Sequence, residues 1–162
     1  MSQKQFAYSI DQFKKIAQQT IKTAKRLGAS AAEVDLNEGL GSAVSVRKGE
    51  TENLEYNRDK GLGVTVYVGH RKGFASTSDL GEKAISDTVE AAVAIAQLTA
   101  EDPFSGLADP NQLAKDIVEL DLYHPWDISM DESIGLAREC EQAAFDVSPE
   151  IKNSEGASVS VQ

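Results

Sequence analysis

The stretch from residue 42 to 79 constrains this chain most, because its apolar and polar residues alternate with a period of two. Val44 and Val46 take one side of a first run, leaving Ala43, Ser45 and Arg47 to the other. Leu54 and Tyr56 share a side in a second run, as do Leu62, Val64, Val66 and Val68 in a third. Successive strand side chains point to opposite faces, so each run reads as a strand with one apolar face. Short segments rich in Gly and charge separate the runs, as in consecutive hairpins. A sheet of this kind needs a cover on one side only, which is the antiparallel pattern.

The flanking sequence supplies the cover. Ile10, Phe13, Ile16, Ala17, Ile21, Ala24 and Leu27 recur at helical spacing over residues 9–27, with Ser9 and Gln12 placed as a capping box and Gly28 as the stop. Val34 and Leu36 mark a short strand over 33–37, and the loop 38–41 leads into the meander. Residues 74–78 read as a further strand. A second helix begins at Asp79, with Glu82 three residues on, buries Ile85, Val89, Ala92, Val93 and Ala96, and stops near Thr99 ahead of Pro103. A third opens on Ser129 and Glu132 and turns Ile134, Ala137, Cys140, Ala144 and Val147 inward. Between them, residues 100–129 hold Pro103, Gly106, Pro110 and Pro125 beside Phe104, Leu107, Tyr123 and Trp126. So many apolar side chains predict a segment that wraps the domain.

The fold class expected is therefore α+β: two layers, a mainly antiparallel sheet built as a meander of hairpins, and helices packed on one face. At 162 residues the chain is long enough to bury roughly 70% of its unfolded surface as one domain. That domain is assigned to residues 1–154. Residues 155–162 alternate Ala157, Val159 and Val161 with polar neighbours and read as the truncated start of a following segment. Where the strands at 33–37 and 157–162 join the sheet is left open by adjacency alone.

Charge and cysteine usage exclude several classes. Acids outnumber bases 26 to 16, giving a formal charge of −10, whereas phosphate binding rests on clustered Lys and Arg. Direct nucleic-acid partners are not expected. Nor is a membrane, since no run of about 18 apolar residues occurs and residues 1–10 lack the apolar core of a signal peptide. Cys140 is the single cysteine and fits a reducing, cytoplasmic setting.

No catalytic constellation emerges. His70 and His124 are distant in sequence, and neither a cysteine pair nor a His-Glu-x-x-His helix is present, so neither metal ligands nor cofactor residues are assigned. Cys140 lies between Glu139 and Glu141, which would oppose a thiolate, and it reads as a small buried hydrophobe. Gly61 and Gly63 precede a strand instead of a helix, unlike a phosphate cradle, and read as turn glycines with positive φ. Arg71 and Lys72, with Arg58 and Lys60, form a basic hairpin tip. Solvation is its ordinary explanation, and a partner or peptide contact is the functional one.

Several ordered motifs add a resemblance. The segments Arg47-Lys48-Gly49-Glu50-Thr51-Glu52-Asn53-Leu54-Glu55, Gly61-Leu62-Gly63-Val64-Thr65-Val66-Tyr67, Arg71-Lys72-Gly73 and Ala75-Ser76-Thr77-Ser78-Asp79-Leu80 resemble the N-terminal region of the TldD/PmbA family. The likeness continues through Leu120-Asp121-Leu122-Tyr123-His124-Pro125 and Ile151-Lys152-Asn153-Ser154-Glu155-Gly156. It implies the non-catalytic N-terminal domain of a subunit of a cytoplasmic metalloprotease complex, whose TldD-like partner carries the metal, zinc, in a C-terminal domain. The resemblance also implies peptide or unfolded-protein substrates, with roles in peptide-antibiotic maturation and antitoxin degradation. That C-terminal domain has no counterpart here, so no family metal ligand is carried onto any residue. The other classes open to such a chain are a stand-alone module binding peptides or proteins by strand addition, and a gyrase-directed regulator.

Overall fold

A computed structural model describes residues 6–162. Its elements are α1 (Ile10–Arg26), β1 (Ala31–Arg47), β2 (Glu50–Val68), β3 (Arg71–Thr77), α2 (Glu82–Leu98), a 3₁₀ turn at Pro110–Gln112, α3 (Met130–Asp146) and β4 (Ala157–Val161). The sheet runs β3-β2-β1-β4, with β2–β3 and β1–β4 both antiparallel. The α+β class and the layered antiparallel sheet agree with the sequence reading. No helix among the described residues is long and apolar enough to cross a membrane.

The chain divides into two compact units, and β1 and β2 each contribute to both. In the unit made of Phe6–Glu38 and Asp59–Glu119, α1 and α2 cover one face of the sheet. Leu62, Val64 and Val66 are fully buried there with Val89, Ala92, Val93 and Ala96 of α2 and Ala24 of α1. Each of these leucine and valine side chains contributes about 1.5–3 kcal/mol on leaving water. The inward stripe of α2 is the one its sequence spacing predicts. Close packing of that helix depends on Gly73 of β3, which sits opposite Val66. A Cβ at Gly73 would lie 2.1 Å from the Ala92 carbonyl oxygen and 2.5 Å from the Ala96 nitrogen.

In the other unit, Gly39–Arg58 with Leu120–Gln162, α3 lies on the sheet over Val44 and Val46. Ala137 is buried against those valines, with Met130, Ile134 and Val159 packed around them. β4 pairs with β1 so that Val159 faces Val44 and Ala157 faces Val46. The β1–β2 connection is Lys48-Gly49, with φ of 52° and 76°. Positive φ at both central residues is the signature of a tight hairpin whose twist matches its strands.

Several sequence expectations are corrected. The runs at 33–37 and 42–47 are one continuous strand, and so are those at 52–56 and 62–68. Gly61 and Gly63 are strand residues, absent from the positive-φ positions. At Gly63 the absent side chain makes room for the Phe74 ring, 3.1 Å from where a Cβ would lie, whereas at Gly61 the nearest atom, in the Asn37 amide, is at an ordinary contact distance of 3.5 Å. Asp79 does not cap α2. Gly81 is the N-cap, and the Asp79 carboxylate accepts from the Gly81 N–H in a local turn before it.

Two further corrections concern burial. Cys140 is exposed, because α3 buries Ser133, Ala137 and Glu141, a stripe spaced four residues apart that leaves position 140 to the side. The segment 100–129 does not wrap the domain. Phe104, Leu107, Leu113, Ile117, Val118, Leu120, Leu122, Tyr123 and Trp126 are all exposed, Ile128 alone among its large apolar side chains is buried, and past the turn at Pro110–Gln112 no helix or strand forms to present one apolar face inward.

Candidate functional site

The most constrained polar arrangement lies at the β1–β2 hairpin, where α3 supplies a carboxylate to the turn. Glu141 is almost fully buried, and its two oxygens accept from the backbone N–H groups of Lys48 and Gly49, each at 2.8 Å. Arg138, one turn earlier on α3, donates from Nε to the Gly49 carbonyl at 2.8 Å. The tight turn leaves these backbone groups without ladder partners, and the helix provides them. An open depression of about 490 Å³ adjoins the clasp, lined further by Gln142 and Phe145.

The N–H of Gly49, then that of Lys48, together with Ser154 and Arg47, hold the Glu141 carboxyl below its ordinary value of 4.5, against the opposing effect of burial. The folded form therefore keeps this group ionised at pH values where the unfolded chain protonates it. Its stabilising contribution is present above the ordinary value and is lost as pH falls through the depressed one. Glu132, held low by the Ser129 hydroxyl and then its backbone N–H, acts in the same direction. Glu141→Gln should lower the melting temperature at pH 7 and flatten the acid limb of stability between pH 7 and about 3, leaving the part due to Glu132. Thermal unfolding across that range checks this; unchanged melting temperature and acid limb would contradict the clasp. The arrangement positions a hairpin and offers no group poised to attack a bond. Sequence reading misses it by giving the inward stripe to Cys140 and weighing Glu141 only as a neighbour of that thiol, although its i, i+4 relation to Ala137 places it on the inward stripe.

The four basic candidates are not gathered at one tip. Arg71 and Lys72 flank the β2–β3 turn, across from Val68 and Tyr67. Lys60 stands eight residues before Val68 in the same strand, about 26 Å away at strand rise, and Arg58 precedes it by two. Arg71 donates to the Gln97 carbonyl at 3.3 Å, and the Lys60 ammonium lies 5.6 Å from the centre of the Tyr8 ring. The histidines have local roles. His70 Nδ1 lies 3.1 Å from the Ser105 carbonyl oxygen, and His124 Nε2 is 3.8 Å from the Asp121 carboxylate. Among the described residues, no group of three or more His, Cys, Asp or Glu is arranged to hold a metal ion.

The first half of β2 carries the most conspicuous surface. Leu54 and Tyr56 occupy the strand parity that buries Leu62, Val64 and Val66 further along, yet they are 53% and 69% exposed. In the same unit, Leu120, Leu122, Tyr123 and Trp126 are exposed as well. Single exposed apolar residues are commonplace, but Leu54 and Tyr56 stand two apart on one side of the same strand and make it a candidate interaction surface.

Comparison with known proteins locates this architecture. Residues 32–96 match the family model for PmbA/TldA metallopeptidase domain 1. Metalloprotease PmbA of Escherichia coli O157:H7 is 46% identical over 148 residues, covering 90% of this chain and 33% of that protein. The Metalloprotease PmbA homolog of Haemophilus influenzae is 48% identical over 138 residues, covering 85% and 30%. Among solved structures, a Bacteroides thetaiotaomicron protein described as a modulator of DNA gyrase superposes with a TM-score of 0.74 at 25% identity, covering 94% of this chain and 34% of that one. TldE from Thermococcus kodakarensis gives a TM-score of 0.59 at 18% identity, covering 78% and 30%, a likeness of fold alone. The chain thus spans about a third of the length of the relatives it matches. Matched over nine-tenths of its residues by a protein named for PmbA, this chain belongs to the PmbA/TldD metallopeptidase family, as the N-terminal domain of a PmbA/TldE-type member.

Proposed function

We propose that this domain is a non-catalytic scaffold in a PmbA/TldE-type subunit, and that the subunit assembles with a TldD-like partner into a cytoplasmic metalloprotease complex acting on peptides or unfolded proteins. In this reading the metal, zinc, belongs to the partner, and peptide-antibiotic maturation and antitoxin degradation are the processes served. The exposed apolar side chains of β2, Leu54 and Tyr56, carry the proposal, because such side chains on a chain with a formal charge of −10 call for a covering surface. The local chemistry of this domain is consistent with an assembling role: its most buried carboxylate, Glu141, holds a turn.

The full-length parent mixed with a TldD-like subunit should elute as one species on gel filtration at micromolar concentration. Leu54→Asp, at a site already half in water, should leave folding intact and weaken that association by tenfold or more. Separate elution of the wild-type proteins would overturn the assembly reading.

A further inference from the structure

A groove beside α3 is a further candidate surface. Trp126, Ile128, Gly135 and Leu136 line an open groove of about 420 Å³, rimmed by the carboxylates of Asp127, Glu132 and Glu139. Ile128 is buried at its base, whereas Trp126 and Leu136 remain 56% and 40% exposed. No Lys, Arg or His is among the lining residues. Glu132 accepts from the N–H and hydroxyl of Ser129, at 2.8 and 2.7 Å, which caps α3 and favours its charged form. The groove is therefore lined by apolar and acidic side chains, without a basic one.

Gly135 supplies the second observation. It stands in the second turn of α3, where glycine weakens a helix relative to alanine. A Cβ at this position would meet nothing within 4 Å, so packing inside this chain does not require a glycine. A smooth helix surface at the groove suits a neighbour that approaches the backbone closely from outside.

We infer that this groove docks a segment of a partner polypeptide carrying an apolar side chain flanked by Lys or Arg, its backbone crossing over Gly135. The apolar side chain fills the space between Trp126 and Leu136, and the flanking cations meet Asp127 and Glu139. The formal charge of −10 attracts such a segment from a distance, while the groove selects its register. This inference does not depend on the TldD-like pairing.

Trp126 is the only tryptophan in the chain, so its fluorescence reports occupation directly. The full chain is titrated at physiological salt with a capped peptide holding one leucine between two pairs of lysines, and in parallel with the same peptide carrying glutamates. A saturable blue shift with the lysine peptide, absent with the glutamate peptide, is expected. Gly135→Leu fills the groove and should weaken the response at least tenfold while raising the melting temperature, which separates loss of binding from loss of fold. The inference is overturned by an absent shift or by an equal response to both peptides. It is also overturned by undiminished binding in Gly135→Leu, the mark of general attraction to an acidic surface. A shift with protein concentration alone would overturn it too, assigning the groove to a second copy.

Discussion

Gly73→Ala should lower the melting temperature by about 6–12 °C, equivalent to roughly 3 kcal/mol in a chain of this size. The added methyl would overlap the Ala92 carbonyl and the Ala96 nitrogen, both backbone atoms, so no side-chain rotation can relieve the clash. Either β3 or α2 must shift, and α2 packs in one core with Leu62, Val64 and Val66 of β2. Gly39→Ala is the control, because a Cβ there meets nothing within 4 Å. Equal melting temperatures for the two variants would show that α2 does not rest on β3 as described.

The second large effect contrasts two leucines of one strand. Leu62 is 1% exposed in the core beneath α1 and α2, and Leu62→Ala should cost about 2–5 kcal/mol by lost transfer energy and the cavity left behind. Leu54, on the same strand parity, should change stability by no more than about 0.5 kcal/mol when cut to alanine. Denaturant titration of both variants decides the matter. A loss at Leu54 comparable to that at Leu62 would mean that the first half of β2 is covered within this chain.

Leu54 also marks what alternation alone cannot reveal. Period two assigned Leu54 and Leu62 to an apolar face correctly, but a face is buried only where something lies on it, and helix placement is a tertiary fact. The same limit applies to residues 100–129. Their apolar content predicts packing within the chain, whereas Phe104, Leu107, Tyr123 and Trp126 are exposed. Composition records that a surface avoids water without recording which molecule covers it. Local chemistry was far more legible. The boxes of Ser9 with Gln12 and Ser129 with Glu132 form as their spacing demands, because capping is settled within four residues. Strand lengths are misread because Gly39, Gly41, Gly61 and Gly63 resemble turn residues, and only the pairing of β1 and β2 with their neighbours shows that the chain runs straight through them. The clasp at Glu141 escaped notice because its partners, Lys48 and Gly49, lie some 90 positions away.

The most direct test of the scaffold reading is peptide hydrolysis, measured with an unfolded peptide for this chain alone, for the TldD-like subunit alone, and for that subunit with the full-length parent, each with and without a metal chelator. Chelator-sensitive cleavage that requires the TldD-like subunit and rises when the parent is added is the predicted result. Chelator-sensitive cleavage by this chain alone would contradict it.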